Sequence, residues 1–592
     1  MMEQKLLWCW AVGVAMANPM ASRSELLSRQ VDGAVAENVF LRRAYHSSAV
    51  LNGRVYIDGG EFSYSSSSGP TYQYSSTLLS IDLSADFEPD TVSFTSIAKP
   101  AGVPDLNRAG IWVDQTSGLL YTGFAGLTSD FGDAPTVAQG LWSFEPSADG
   151  ATGSWTNLND TADAYFTTQP RHYAGPVASG NGTGYFLGGQ ILDNGTEVPV
   201  SGLLKYDFAT KTAANSTVSG ISTSGYLQRG MMQYVPNFGP AGVIIAAGGH
   251  QLQKGSSEKY LLSFNSVQVF DPATDTWYEQ TTTGNIPEGR KEYCMAGAAS
   301  SNDTYEILVY AGWDGNLGSS SIPWDEAYVL SLPSFHWFKA DFQALRPRHG
   351  LTCEHIGGGQ VLAIGGVDTT QNGPVSLYDD VFNTRDTHDQ GLAVFDMSSL
   401  LFTTGYRSNQ TVYNLATDVQ NYYNDHDRMA DFAYTGLKDL FAVQNFSAAA
   451  TDDTGSGESS SGTGNSGGAS GSSSGSSNPG DNPGSAAPSS NTGAIAGGVV
   501  GGVVGVALVA AAVFFLLRRR KAKRAALQQN IEGAGAGAGE KTFYSGGGPS
   551  SGVYYSQVPH AEMPGQAPPR SEVSGSSPHA ELPDTNRYEL AS

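Results

Sequence analysis

Short apolar runs that end in glycine recur along the first 400 residues of the chain. Val55–Asp58 is followed by Gly59 and Gly60, and other runs end in the same way at Gly123, Gly188-Gly189, Gly248-Gly249, Gly312 and Gly365-Gly366. Consecutive runs end about 53 to 65 residues apart, a spacing typical of a repeated β unit with long loops. Short apolar runs bounded by turn residues are typical of buried strands. The pattern therefore predicts an all-β domain made of six copies of one unit.

Each apolar run has companions in a fixed order. A basic residue stands upstream of a strand of small residues in every unit: Arg43, Arg108, Arg171, Arg229, Arg290 and Arg348. Downstream, a second strand often ends in an aromatic residue and an acid, as in Phe270-Asp271. A further aromatic residue follows in most units, including Trp155, Trp277 and Trp337. A four-stranded unit of this kind cannot bury both faces alone, so the units are expected to stack around an axis.

This order of arginine, paired glycines, aromatic-acid pair and tryptophan resembles the Kelch repeat. The resemblance covers roughly residues 40 to 405 and implies a six-bladed Kelch-type β-propeller over residues 31–405. It gives a structural role to the following repeat positions: Arg43, Gly59, Gly60, Arg171, Gly188, Gly189, Gly248, Gly249, Trp277, Trp337, Arg348, Gly365 and Gly366. The strand that closes the ring is either Val35–Leu41 or a segment after Leu400.

The residues that follow the repeats have a different apolar pattern. Val412–Tyr423 and Gly436–Val443 have apolar spacing compatible with helices, and they predict a short helical extension over residues 406–447 that packs on the propeller. Residues 448–492 consist almost entirely of Ser, Gly, Thr, Asn, Asp and Pro. Such a composition buries too little apolar surface to fold, so we expect a flexible stalk.

Two apolar segments predict entry into the secretory pathway and one membrane span. Residues 1–17 combine Lys5, a short apolar stretch and the small-residue site Ala15-Met16-Ala17, a pattern typical of a signal peptide. Residues 494–517 carry no charge and are long enough to cross a bilayer as a helix. The basic run that starts at Arg518 marks the cytoplasmic side. Residues 518–592, rich in Gly, Pro and Ser, then form a disordered cytoplasmic tail.

This topology places the propeller outside the cell, in a single-pass type I protein of the plasma membrane. Seven glycosylation acceptors of the form Asn-x-Ser/Thr all precede the span: Asn159, Asn181, Asn194, Asn215, Asn302, Asn409 and Asn445. The formal charge of −24 argues against nucleic acid as a partner. Within the span, Gly497, Gly501 and Gly505 are four residues apart, which would let two spans approach closely. A homodimer formed through the span is therefore a hypothesis. Taken whole, the chain resembles a group of fungal Kelch-repeat membrane proteins.

One segment suggests catalysis. Copper radical oxidases similar to galactose oxidase also use a Kelch-type propeller, and their Arg-x-Tyr-His-Ser segment resembles Arg43 to Ser47, which would make Tyr45 and His46 metal ligands. Such a site needs another imidazole and a tyrosine crosslinked to cysteine. The sequence offers neither in a recognisable context. Histidine also stands beside the repeat arginine at His172 and His349, which favours a structural role for His46.

Only two cysteines remain after the predicted signal peptide. Cys294 and Cys353 follow the arginines of neighbouring repeats by four and five residues. An oxidising compartment favours a disulfide, whereas the one-residue offset favours two buried thiols, and both alternatives stay open.

We expect a cell-surface recognition protein that binds an extracellular glycan or protein and uses no cofactor or metal. A membrane-tethered oxidase and a structural wall-associated protein are the alternatives.

Overall fold

The computed structural model describes residues 34–446 except 130, 132–138, 219–226, 253–258, 319–324, 343–346 and 372–377. All of these residues belong to the first of two units of the chain, Met1–Gly464. The predicted signal peptide, stalk, membrane span and tail lie outside the described residues. Within them, no helix combines the length and apolar character needed to cross a membrane.

The described residues form mostly β structure, dominated by six antiparallel sheets that follow one another along the chain. Each sheet contains four antiparallel strands in chain order. Sheet 1 comprises Ser47–Leu51, Arg54–Asp58, Thr77–Asp82 and Thr95–Ala98. Sheet 2 comprises Trp112–Asp114, Leu119–Thr122, Trp142–Pro146 and Gly153–Asn157. Sheet 3 comprises Val177–Gly180, Thr183–Leu187, Leu203–Asp207 and Thr212–Ser216.

The last three sheets have the same order. Sheet 4 comprises Met231–Val235, Val243–Ala247, Ser266–Asp271 and Thr276–Thr281. Sheet 5 comprises Cys294–Ala299, Tyr305–Tyr310, Ala327–Leu332 and His336–Lys339, with Thr283–Gly284 added in parallel at its outer edge. Sheet 6 comprises Thr352–His355, Gln360–Ile364, Leu392–Asp396 and Leu401–Thr403. The repeat tryptophans Trp155, Trp277 and Trp337 all lie on fourth strands, as the sequence pattern predicts.

A closed ring of backbone hydrogen bonds joins the residues that lead into the six first strands. Each N–H donates to the carbonyl of the preceding unit over 2.7 to 3.2 Å, and Tyr45 donates back to Gly350. We call the six residues the neck ring: Tyr45, Arg108, Ala174, Arg229, Glu292 and Gly350. Because the ring returns to its start, the sheets surround one axis, an arrangement consistent with a Kelch β-propeller.

The repeat glycines form a second closed ring of hydrogen bonds. One glycine of each unit donates its N–H to a carbonyl of the next unit over 2.7 to 2.9 Å, from Gly60 to Leu106 through to Gly366 to Arg43. In the second unit this glycine is Gly126 and not the predicted repeat glycine Gly123. At Gly59 the backbone has φ +66°, and a Cβ there would lie 2.1 Å from the carbonyl oxygen of Leu106 in the next unit. The close approach between units therefore requires glycine at this position.

The repeat arginines do not occupy one equivalent position, contrary to the sequence alignment. Arg43, Arg290 and Arg348 lie two residues before the neck ring, whereas Arg108 and Arg229 belong to the ring itself. Arg290 and Arg348 donate to the carbonyl that precedes the last glycine of their own unit, over 3.1 Å. In the second and fourth units the residues two positions before the ring are Leu106 and Leu227, so the arginines of the pattern fall at different places along the backbone.

One end of the sheets carries the neck ring, and we call it the loop end. The long connections between second and third strands lie at this end. Among the described residues, five additional pairings are formed there. Four of them join a connection to the segment that leads into the same sheet, and the fifth, between Gln190–Asp193 and Thr196–Pro199, is a hairpin within one connection. Their strands are Phe40–Ala44, Glu61–Ser66 and Gly69–Tyr74; Leu106–Asn107 and Leu127–Thr128; Gln190–Asp193 and Thr196–Pro199; Leu227–Gln228, His250–Leu252 and Lys259–Leu261; Arg348–His349 and Val367–Asp368. The opposite end, the hairpin end, carries the short turns between first and second strands.

Ring closure needs no strand borrowed from the other terminus. The segment Phe40–Ala44 pairs with Glu61–Ser66 at the loop end and does not enter sheet 6. Leu401–Thr403 supplies the fourth strand of sheet 6 in ordinary chain order. Of the two closing segments left open by the sequence, the structure thus uses the one after Leu400.

The C-terminal extension crosses the hairpin end. Gln410 donates to Gly358 of sheet 6, Ser301 of sheet 5 donates to Tyr413, and Asn445 donates to Asn237 of sheet 4, over 2.8 to 2.9 Å. Its helices are Thr417–Asp425 and Thr435–Ala442, and short helices also occur at Tyr165–Thr168, Tyr378–Phe382 and Asp389–Gly391.

Candidate binding cavity

A cavity of about 780 Å³ lies along the axis that the six sheets surround. First strands from all six sheets line it, and all six residues of the neck ring form its floor. It reaches toward the hairpin end, where Asn181, Asn237 and His355 belong to its lining. This volume falls within the roughly 300 to 1,000 Å³ of ordinary ligand sites.

Charged and aromatic side chains converge at the floor of the cavity. Arg229 donates a hydrogen bond to the carboxylate of Glu292. The indole N–H of Trp313 donates to the other carboxylate oxygen over 3.0 Å. Arg108 approaches Glu292 to 4.0 Å and stacks on the ring of Tyr45, with 3.8 Å from the guanidinium carbon to the ring centroid. These contacts hold the side chains in one network on the axis.

The network fixes the ionisation state of its members. Burial opposes the charge of Glu292, but the positive charges of Arg229 and Arg108 outweigh it and lower the pKa of Glu292 to about 2. Burial lowers the pKa of His349 to about 3, so this imidazole, which stacks on Trp313, is neutral at physiological pH. At the floor, two guanidinium groups therefore face one carboxylate.

Backbone strain also marks the floor. All six neck-ring residues have left-handed φ values between +47° and +72°, although only Gly350 is glycine. A left-handed conformation costs other residues about 1 kcal/mol or more. Strain of this kind concentrates at ligand sites, so the large side chains of Tyr45, Arg108, Arg229 and Glu292 at these positions indicate function.

The wall of the cavity mixes polar and apolar side chains. Ser48 and Val50 face it from sheet 1, and Val177 and Ser179 from sheet 3. The one carboxylate on the wall of sheet 6 belongs to Glu354, which accepts a hydrogen bond from Ser48 over 2.6 Å. Burial raises the pKa of Glu354 to about 7.

The predicted glycosylation acceptors lie on the surface of the unit. Asn159 is half-buried, and the other six are exposed: Asn181, Asn194, Asn215, Asn302, Asn409 and Asn445. Asn181 occupies the turn of a hairpin at the rim of the cavity. Asn302 and Asn445 also lie at the hairpin end, because they adjoin the first turns of sheets 5 and 4.

Tyr45 and His46, the copper ligands under the oxidase hypothesis, have other partners. Tyr45 belongs to the neck ring and lies under Arg108. His46 is buried beside it, with its Nε2 2.8 Å from the hydroxyl of Thr352, and burial lowers its pKa to about 3. In the described ranges, no group of three or more His, Cys, Asp or Glu side chains is arranged to hold a metal ion.

A disulfide joins Cys294 of sheet 5 to Cys353 of sheet 6, with 5.3 Å between their Cα atoms. Neighbouring first strands bring the two residues together despite the one-residue offset in their spacing. Both sulfur atoms are engaged in this bond, so neither is free to form the crosslink to tyrosine that the copper site of those oxidases requires. The three histidines predicted to follow the repeat are not equivalent. His46 lies one residue after its neck-ring residue, His349 one residue before and His172 two residues before, so the repeat does not account for them as one position.

Sequence reasoning selected Tyr45, Arg108 and Arg229 from the neck ring, but it missed Glu292 and did not notice Glu354. Glu292 lies two residues after Arg290, and Glu354 directly follows Cys353, so both were hidden beside residues that had another interpretation. What the two residues share is their place in the repeat. Glu292 leads into the first strand of sheet 5, and Glu354 lies on the first strand of sheet 6, which lines the cavity.

One curated relative places this architecture in context. A Kelch repeat-containing protein from Arthroderma benhamiae is 25% identical to the chain over 412 residues. The match covers 62% of this chain and 57% of the relative, so the chain spans little more than half the length of the relative it matches. No family model matches the chain. The similarity supports the Kelch-repeat resemblance.

Proposed function

We propose that the protein is a cell-surface recognition protein that binds an extracellular glycan or protein in the axial cavity. The observation that carries this proposal is the floor of the cavity, where Tyr45, Arg108, Arg229 and Glu292 converge from strained backbone positions. Strained residues, a perturbed carboxylate and a concave site together favour ligand binding. Similarity to a Kelch repeat-containing protein also suggests an interaction domain.

The scaffold in this proposal is a six-bladed Kelch-type propeller. Six consecutive four-stranded sheets and two closed rings of hydrogen bonds support it. A rigid ring suits recognition because ligand groups on its axis keep fixed distances from one another.

Placement of the propeller outside the cell belongs to the same proposal. Its support is the sequence alone: a signal peptide over residues 1–17, a span over 494–517 and basic residues from Arg518. The stalk over residues 448–492 would then set the reach of the propeller from the plasma membrane. A homodimer through Gly497, Gly501 and Gly505 would place two propellers on one membrane site.

A binding assay on the secreted unit Met1–Gly464 tests the proposal. This unit holds the complete set of sheets and the core, so it is expected to fold without the rest of the chain. Binding to cell-wall polysaccharides and to isolated walls is measured against a heat-unfolded sample. We expect saturable binding that is lost on unfolding and weakened at least tenfold by Arg108→Ala.

Two results would count against it. Equal binding by native and unfolded samples would contradict a recognition role. Unchanged binding by Arg108→Ala would mean that the ligand does not bind at the cavity floor. Failure to bind any wall component, followed by failure to crosslink a protein on intact cells, would leave the structural wall-associated role.

A further inference from the structure

Among the described residues, Glu354 lies on the cavity wall without a lysine or arginine partner, and the positive group that acts on it is the imidazole of the adjacent His355. Its carboxylate accepts one hydrogen bond, from Ser48 of the neighbouring sheet, and within the described parts of the chain no lysine or arginine forms an ion pair with it. The contrast is Asp386, a structural carboxylate that Arg348 binds through both oxygens. An ionised carboxylate has room for about four hydrogen bonds. Glu354 therefore keeps acceptor capacity that the fold does not use.

The lining of the cavity mixes hydrogen-bonding and apolar groups. The hydroxyls of Ser48, Thr352 and Ser179 each make one hydrogen bond within the protein and keep further hydrogen-bonding capacity. The amide nitrogen of Gln233 donates to Tyr234 and Tyr305, which leaves its oxygen as an acceptor, and Val177 and Met231 are apolar members of the same lining. A pyranose ring has the matching pattern, with hydroxyls at its edge and C–H groups on its faces. Few precisely placed polar groups among apolar ones are typical of small-ligand sites.

We propose that the cavity wall at Glu354 binds the neutral, hydroxyl-rich end of a saccharide chain, with the carboxylate accepting hydrogen bonds from sugar hydroxyls. This inference rests on the proposed function and names the ligand class for the same cavity. Ser48, Ser179 and Thr352 complete the hydrogen-bonding wall.

The charge distribution favours a neutral sugar over a charged ligand. Two guanidinium groups, Arg108 and Arg229, line the floor beside one lining carboxylate, Glu292, which disfavours an amine in the same cavity. Arg229 also approaches Glu197, which lies outside the lining, to 3.9 Å. Glu354 on the wall disfavours an acidic sugar. A neutral saccharide chain is repelled neither by the guanidinium groups at the floor nor by the carboxylate on the wall. The rim also favours a slender ligand, because a glycan attached to Asn181 would narrow the entrance.

The test measures binding of neutral oligosaccharides of two to four residues to the secreted unit by calorimetry and saturation-transfer NMR. The probes are glucose, mannose and N-acetylglucosamine oligomers, with spermidine as the amine of comparable length. Glu354→Ala removes the acceptor, and Glu354→Gln keeps the shape and one acceptor oxygen. Glu306→Gln is the matched control, because Glu306 is also a buried carboxylate with its pKa raised to about 7 but lies outside the cavity lining.

We expect one class of neutral oligosaccharide to bind, Glu354→Ala to weaken binding at least tenfold, Glu354→Gln to weaken it less, and Glu306→Gln to leave it unchanged. Wall binding that persists equally in Glu354→Ala would overturn the inference and leave the proposed function standing. Tighter binding of spermidine than of any sugar would also overturn it. If the wild-type unit binds neither walls nor oligosaccharides, both the inference and the glycan form of the proposed function fail.

Discussion

Glu306 illustrates how a single buried acid couples this fold to pH. Its side chain is fully buried on the second strand of sheet 5 and accepts a hydrogen bond from Ser331 over 2.7 Å. The same serine lies 2.7 Å from the hydroxyl of Tyr423 in the C-terminal extension. Burial raises the pKa of Glu306 to about 7, from an ordinary value of 4.5. The folded protein therefore binds this proton more tightly than the unfolded chain does.

Glu306→Gln should make the folded state less sensitive to pH. The stabilising effect of the proton is fully present below about pH 4.5 and is lost as the pH rises to about 7. Each pKa unit corresponds to about 1.4 kcal/mol, so the variant should exceed the wild type by a few kcal/mol at pH 8. Near pH 4 the two should be equally stable. Urea unfolding at both pH values measures the difference, and an equal gap at pH 4 and pH 8 would contradict the assignment.

The neck ring shows why residue roles on the axis were hard to predict. A left-handed φ can be predicted at glycine, but nothing in the sequence around Arg108 or Glu292 announces one. The spacing gives no help either, because Tyr45 precedes its glycine partner Gly60 by 15 residues, whereas Glu292 precedes Gly312 by 20. The ring becomes visible only when hydrogen bonds between distant units are known.

At the scale of elements, strands were predicted more closely than helices. Apolar runs before glycine identify second strands directly, because both faces of these strands are buried between neighbouring sheets. The helix predicted from Val412 begins only at Thr417. Leu415 and Val419 have helical spacing, yet Leu415, like Tyr413, is buried in the segment before the helix, in the same apolar cluster as residues of sheet 5. Burial, and not helical periodicity, explains their apolar character.

The helix Thr435–Ala442 fastens the C-terminal extension to the hairpin end. Phe441 is fully buried, with ring centroids 4.7 Å from Phe238 of the sheet 4 turn and 5.1 Å from Phe335 of sheet 5. Phe441→Ala should destabilise the unit by about 3 to 5 kcal/mol, because it leaves a cavity in this cluster. Lys438→Ala, on the exposed side of the same helix, should change stability by less than about 0.5 kcal/mol. Chemical unfolding measures both.

The residues that lose protection from hydrogen exchange in Phe441→Ala distinguish a helix that is only docked on the sheets from a helix that the whole fold requires. Hydrogen exchange in Phe441→Ala should accelerate first over residues 406–446, with the inner strands of sheets 1 to 3 protected as before. Simultaneous loss of protection in all six sheets would instead mean that the extension is part of the cooperative core.

For the whole molecule, the number of units and their order were predictable from the sequence, but the way the ring closes was not. Repetition of one pattern implies stacking, yet the contact between the first and last units also uses Arg42, Asp368 and Asp386, which lie outside the pattern. Sheets 5 and 6 are linked by the disulfide Cys294–Cys353. Between sheets 6 and 1, the links within the described parts of the chain are noncovalent, and they include the two backbone rings and a group of buried charges around Asp386.

Asp386 is the centre of this seam. Its carboxylate accepts hydrogen bonds from Arg348, which leads into sheet 6, over 2.9 and 3.2 Å. Arg42, which leads into sheet 1, lies 3.9 Å away and also approaches Asp368 to 3.5 Å. Burial opposes the charge of Asp386, but the two arginines lower its pKa. The carboxylate thus neutralises guanidinium groups from both sides of the seam.

Asp386→Asn should open the ring at this seam, because it keeps the shape of the side chain but leaves two buried guanidinium groups undercompensated. Removing one partner of a buried ion pair costs about 3 to 5 kcal/mol. Asp275→Asn is the control: Asp275 pairs with Lys205 of sheet 3 over 2.8 Å on the surface, where such a pair is worth about 0 to 1 kcal/mol. We expect the seam variant to lower the free energy of unfolding by several times the control and to accelerate hydrogen exchange first at Phe40–Ala44 and Arg348–His349. Equal losses in the two variants, or exchange that begins at another sheet boundary, would mean that the two hydrogen-bonded rings close the molecule without these charges.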